Sequence, residues 1–168
     1  MDLDAEIEAR IGCSIADIFA HDGETEFRRI EKETLKDILE TGGRVLEISP
    51  SSSTRACKNQ EHPSNERPQM ILALGGGAVM TPECGKMVHE QTKCIYLRTS
   101  VKELVARLTD ESAGRPLLAA SDLKTRIETL MSLRMETYER TAHHIISTDS
   151  KTIDEVASEI TTALPSRR

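Results

Sequence analysis

The run Met70-Ile71-Leu72-Ala73-Leu74, followed at once by Gly75-Gly76-Gly77, limits what this chain can fold into more than any other stretch. Five apolar residues without a polar break suit a strand covered on both faces, as parallel strands are. The three glycines then remove every Cβ where such a strand would end. In open parallel sheets, ligands bind beyond the carboxyl ends of the strands. One short segment therefore predicts both a fold class and a place for chemistry.

The rest of the chain alternates to match. Residues 5–11 read as a short helix stopped by Gly12, and Ser14 with Asp17 reads as a capping box opening a second helix that ends at Gly23. Residues 24–41 form a longer helix whose apolar face is Phe27, Ile30, Leu35, Ile38 and Leu39, closed by Gly42-Gly43. A short strand is expected at 45–48, helices at 82–90, 122–141 and 153–164, and strands at 94–97 and 145–146. Ser100 with Glu103 reads as the box of a further helix. Strands alternating with helices predict an α/β fold in three layers, α/β/α, with a mainly parallel sheet. Residues 1–168 are expected to form a single domain, with 49–69 as a loop insertion and 110–121 as a lid.

Composition narrows the function. A net charge of −6 argues against nucleic acid as a partner. The large aromatics are Phe19, Phe27, Tyr96 and Tyr138, so the core must be aliphatic. Cys13, Cys57, Cys84 and Cys94 make no C-x-x-C pair and stand at no metal-ligand spacing with the histidines; they fit reduced thiols in a cytoplasmic protein. No apolar run approaches the ~20 residues of a membrane span. The acidic start, with Asp2, Asp4, Glu6 and Glu8, does not read as a signal peptide.

Several residues carry possible chemistry, each with a plainer reading beside it. Gly76 and Gly77 let a ligand approach backbone N–H groups, or form a simple turn. Arg28, three residues before Glu31 on one helix, is a surface ion pair or an arginine aimed at an anion. Asp2 and Asp4, if extended, share a face and could serve as base and metal-side ligand; otherwise they are an acidic, frayed end. Arg115 in its loop, and Arg134 among charged neighbours, could each be a solvated charge. The five histidines have no metal spacing, and His143-His144 reads as structural.

Together these motifs resemble the shikimate kinase family, the small P-loop enzymes of aromatic amino-acid synthesis. The resemblance rests on Asp2-x-Asp4, on Gly12-Cys13-Ser14-Ile15-Ala16-Asp17-Ile18-Phe19, on Gly23-Glu24 and on Phe27-Arg28-x-x-Glu31. It continues through Gly75-Gly76-Gly77-Ala78, Arg115-Pro116-Leu117-Leu118 and Arg134-x-x-x-Tyr138. It implies ATP- and Mg²⁺-dependent phosphorylation of the shikimate 3-hydroxyl by a cytoplasmic monomer. Asp4 would act as base or orienting group, Arg28 and Arg134 would clamp the shikimate carboxylate, and Gly76 and Gly77 would supply backbone contacts. Arg115 would reach the ATP phosphates from the lid, and Asp2 would sit near Mg²⁺ through water.

Two departures stand out. Glu136 replaces the family's usual proline in R-x-P-x-Y, and no G-x-x-x-x-G-K-[ST] phosphate loop occurs in the sequence. The chain reads as a shikimate kinase lacking its first strand, P-loop and first helix, and is expected to bind ATP poorly and catalyse little. Its alternatives are a related small-molecule P-loop kinase and a non-catalytic acceptor-binding fragment.

Overall fold

A computed structural model describes residues 1–42, 70–111 and 120–164. They group into two compact units, Met1–Ala78 and Val79–Arg168. The expected strand at 45–48, the insertion at 49–69, Cys57, His62 and Arg115 lie outside the described residues.

In the first unit, helix α1 (Leu3–Ile11) begins where the Asp2 carboxylate accepts the Ala5 N–H at 3.0 Å, and ends where Gly12 turns left-handed at φ 80°. Asp2 and Asp4 are therefore not two residues of one extended face: Asp2 caps the helix and Asp4 lies in its first turn. Carboxylates in that turn complement the helix dipole, and this favours helix over extended chain. Helix α2 (Ile15–His21) opens on the expected Ser14–Asp17 capping box. Helix α3 (Gly23–Thr41) buries Phe27, Ile30, Leu35 and Ile38 against α1 and α2, where Leu3, Ile7 and Ile18 complete an aliphatic core. The sequence places the apolar face of α3 correctly, but the structure also seals two polar residues into it, Glu31 and Thr34.

The segment before the glycines differs from expectation. It makes one parallel bridge, Asp2 to Ala73, through Leu3 N–H to Ala73 C=O at 3.0 Å and Ala73 N–H to Met1 C=O at 2.9 Å. It is also not buried: Ile71 is 89 % exposed. Covering both faces of a parallel strand needs neighbours on both, and among the described residues the pairing reaches only Met1 and Leu3. The short bridge still sets a register. With Asp2 opposite Ala73, Asp4 comes alongside Gly75.

In the second unit, strands β1 (Ile95–Arg98) and β2 (His144–Ser147) pair in parallel, Ile95 opposite His144. Helices α4 (Pro82–Gln91), α5 (Val101–Glu111), α6 (Ala120–Thr141) and α7 (Ile153–Ala163) complete it. β1 is not the buried strand its composition suggests, since Leu97 is 48 % exposed. The Ser100 box closes only in part. The Ser100 hydroxyl accepts Glu103 N–H at 3.3 Å, but Ser100 N–H donates to Asp149 instead, at 2.8 Å, while Glu103 pairs with Arg107. His143 is structural as expected: its Nδ1 accepts the Cys94 N–H at 3.1 Å, and its ring stacks on His89 at 4.5 Å. Helix-rich α/β with a parallel sheet is the class the sequence indicates.

Candidate functional site

The first unit gathers its sequence-chosen residues around the glycine run. α1 starts beside residue 73 and carries Asp4 to Gly75. A Cβ on Gly75 would stand 3.1 Å from both Asp4 carboxylate oxygens. Burial of Phe27 and Ile30 orients α3 so that Arg28 reaches Gly77. A Cβ on Gly77 would lie 2.6 Å from Nη1, 2.8 Å from Nη2 and 3.1 Å from Cζ. A point nearer both terminal nitrogens than the central carbon lies end-on to the guanidinium, not over its face. Gly77, having no Cβ, lets the glycine backbone close against the Nη1–Nη2 end of the guanidinium.

Two carboxylates of α3 hold the guanidinium. Glu31 accepts from Nη1 at 2.8 Å and is itself 1 % exposed. Glu24, one turn earlier, accepts from Nη2 at 3.2 Å and is exposed. The Phe27 ring lies 5.2 Å from the same guanidinium carbon. Arg28 is therefore not the plain surface pair that its i,i+3 spacing allows, because its main partner is buried. A guanidinium has five N–H groups, and these two bonds leave donors for a ligand.

Electrostatics tie the group together. Burial pushes the Asp4 carboxyl above its ordinary range; Asp2 and then Glu8 add to that, and Arg28 opposes it. Burial likewise raises Glu31, against the hydrogen bond and charge of Arg28, with Asp4 adding a further upward push. A carboxylate whose proton affinity is raised is better suited to accept a hydrogen bond or a proton from a hydroxyl. Asp4 and Arg28 meet the glycine backbone two residues apart, at Gly75 and Gly77.

Asp2 is spent in part on the α1 cap, and Gly76 lies exposed between its two neighbours. Arg134 stands on α6 in the second unit, partly buried, with exposed Glu136 two residues on. The Tyr138 ring one turn further packs 5.2 Å from Tyr96. The sequence singled out the glycine run and Gly23-Glu24 as motifs, but not the contacts of Gly75 with Asp4 and of Glu24 with Arg28. The signal for Gly75 lay in the Asp2–Ala73 register, and that for Glu24 in its i,i+4 spacing to Arg28. Among the described residues no group of three or more His, Cys, Asp or Glu could hold a metal ion, and no helix is long and apolar enough to cross a membrane.

Comparison with known proteins points one way. A sequence profile of the shikimate kinase family matches residues 1–62 and 60–165. The shikimate kinase of Thermus thermophilus is 33 % identical over 160 residues, 95 % of this chain and 72 % of that protein. That of Bordetella pertussis is 35 % identical over 153 residues, 91 % of this chain and 60 % of that protein. Among solved structures, shikimate kinase from Acinetobacter baumannii in complex with shikimate aligns at TM-score 0.69 and 25 % identity, over 96 % of this chain and 75 % of that one. The enzyme from Bacteroides thetaiotaomicron aligns at TM-score 0.70 and 20 % identity, over 96 % and 79 %, and supports the fold.

Proposed function

The chain belongs to the shikimate kinase family, and we propose that Asp4, Arg28 and the Gly75-Gly76-Gly77 backbone form the shikimate-binding end of its site. The family transfers a phosphoryl group from ATP to shikimate, an acid bearing hydroxyls. The observation that carries the reading is the approach of the Arg28 guanidinium to Gly77, two residues from Gly75 and its contact with Asp4. One end fits a carboxylate and the other fits a hydroxyl.

In this reading the shikimate carboxylate pairs with the Arg28 guanidinium and the Gly76 and Gly77 N–H groups approach the bound acid. Asp4 accepts the hydrogen bond of the reacting hydroxyl and takes its proton as the phosphoryl group arrives. The raised proton affinity of Asp4 supports that role. Arg134 is assigned to the carboxylate, and Arg115 to the nucleotide phosphates, on the family match of Arg134-x-x-x-Tyr138 and Arg115-Pro116-Leu117-Leu118 alone.

Mg²⁺ demands no all-protein cage; one or two carboxylates beside substrate phosphates suffice. Asp2, exposed and with one oxygen on the α1 cap, fits contact with such an ion through water. When bound, the ion neutralises charge on the nucleotide phosphates. A cytoplasmic setting is supported by Cys13, Cys84 and Cys94, each a free thiol. A monomer is carried over from the resemblance.

Calorimetric titration with shikimate tests the acceptor reading. Binding that is lost in Arg28→Ala is expected, and absence of binding by the wild-type chain overturns it. In an ADP-release assay with ATP, Mg²⁺ and shikimate, this polypeptide is expected to turn over slowly, because no G-x-x-x-x-G-K-[ST] loop lies within it. Turnover at the rate of a complete family member would show that the phosphates are held by other means.

A further inference from the structure

The two acidic partners of Arg28 are not equivalent. Glu31 is sealed inside the unit and binds Nη1 at 2.8 Å. Glu24 is on the surface, its side chain 68 % exposed, and binds Nη2 at the longer distance of 3.2 Å. A guanidinium offers a carboxylate two forks, the end-on pair of Nη1 with Nη2 and the side-on pair of Nε with Nη2. Nη2 belongs to both. With the glycine backbone closed against the end-on fork, a carboxylate is left the side-on fork, and there it shares Nη2 with Glu24.

The surrounding charge has the same sense. Arg28 faces Glu24 and Glu31, and it lowers the proton affinity of Asp4, which in turn feels Asp2 and Glu8. One cation among these carboxylates leaves an acidic excess where an anion has to dock.

We propose that Glu24 is an internal counter-ligand of Arg28: it occupies Nη2 until a substrate carboxylate displaces it, and so it weakens and filters acceptor binding. Glu31 positions the arginine, and Glu24 competes for it. The site then favours acceptors whose carboxylate can displace a charged side chain over neutral analogues. The inference rests on the shikimate reading above, since it requires a carboxylate ligand at Arg28.

The test is Glu24→Gln, a near-isosteric change at an exposed position that keeps the fold. Wild type and variant are titrated with shikimate and with its neutral methyl ester at low and high salt. Shikimate is expected to bind the variant roughly two- to threefold more tightly at low salt, the scale of losing one exposed i,i+4 competitor and its charge. The gain should shrink at high salt, and the ester should bind both proteins alike. If the variant binds shikimate no better, or worse, Glu24 is a second positioning residue and the proposal falls, while the acceptor reading stands. If wild type fails to bind shikimate, both fall together. An equal gain for the ester would also overturn the proposal, because it would mark a steric effect and not a charge competition.

Discussion

The two units of the chain use carboxylates in opposite ways. In the second unit Asp149 and Glu155 sit at helix starts, accept the N–H groups of Ser100 and Thr152, and hold their protons less tightly than usual. In the first unit Asp4 and Glu31 are crowded together with Arg28, and burial makes them hold protons more tightly. Asp17, also in the first unit, behaves like the second-unit pair because it too is a cap, bonded to Ser14. A carboxylate whose ionised form is favoured is serving the fold. One whose ionised form is disfavoured costs stability and marks a place where chemistry is expected.

The largest effect that could break this contrast is at Glu31. Glu31→Ala leaves the Arg28 guanidinium without its buried partner. Breaking a sealed pair costs about 3–5 kcal/mol. The Arg28 side chain keeps 27 % of its exposure, so the expected loss is lower, about 2–3 kcal/mol. Chemical denaturation measures it. A loss of a few tenths, as at a surface pair such as Arg29–Glu33, would mean that the first unit holds no special charge cluster.

Next comes Gly77→Ala. The added methyl would stand 2.6 Å from Nη1, so the guanidinium must move out of line with the glycine backbone. Shikimate affinity should fall roughly ten- to thirtyfold, the low end of about 1.5–3 kcal/mol for a charged hydrogen bond on a partly solvated cation. Thermal stability should change much less than affinity. Unaltered binding would show that the ligand does not depend on this position of the Arg28 guanidinium.

Smaller and equal effects are expected at two helix starts, one in each unit. Ser14→Ala and Thr152→Ala each delete the hydroxyl of a closed capping box, and each should cost about 1 kcal/mol. If one costs much more than the other, the difference between the units lies in their general stability and not in their carboxylates.

The same residues show how far the sequence could be read. The Ser14–Asp17 box was legible because all its parts lie within four residues. Ser100 with Glu103 has the same spacing, yet its N–H goes to Asp149, which β2 brings alongside β1. That competition is non-local and leaves no mark in the local pattern. The α3 face was legible from its period, but not the burial of Glu31, which depends on the approach of α1. Asp4 and Arg28 could be chosen, whereas the Asp4–Gly75 and Arg28–Gly77 contacts needed the parallel register of residue 2 with residue 73. Apolar runs overstated burial at Ile71 and Leu97, since coverage of a strand depends on neighbours that composition does not reveal.

The subtlest expected difference is in pH response. His143 holds its proton less tightly than the ordinary 6.5, through burial first and then the charges of His89, Lys93 and His144. The unfolded chain therefore takes up that proton more readily, and the stability His143 contributes is lost as pH falls through 6.5. Protonation also removes the acceptor of the Cys94 N–H, because both ring nitrogens then donate. Asp4 and Glu31 have the opposite sign. Their folded forms bind protons more readily than the unfolded chain does, so falling pH relieves a cost in the range above 4.5. The cap carboxylates Asp17, Asp149 and Glu155 lose their contribution only at and below the ordinary carboxylate range. Amide hydrogen exchange, corrected for intrinsic rates and compared at about pH 7 and pH 5.5, separates the two signs. Protection of the Cys94 N–H should fall, while that of the α3 amides of Ile30 and Leu35 should hold or rise. A parallel fall in both would mean that protons act on the chain as a whole and that the two units do not differ in the way their charges are held.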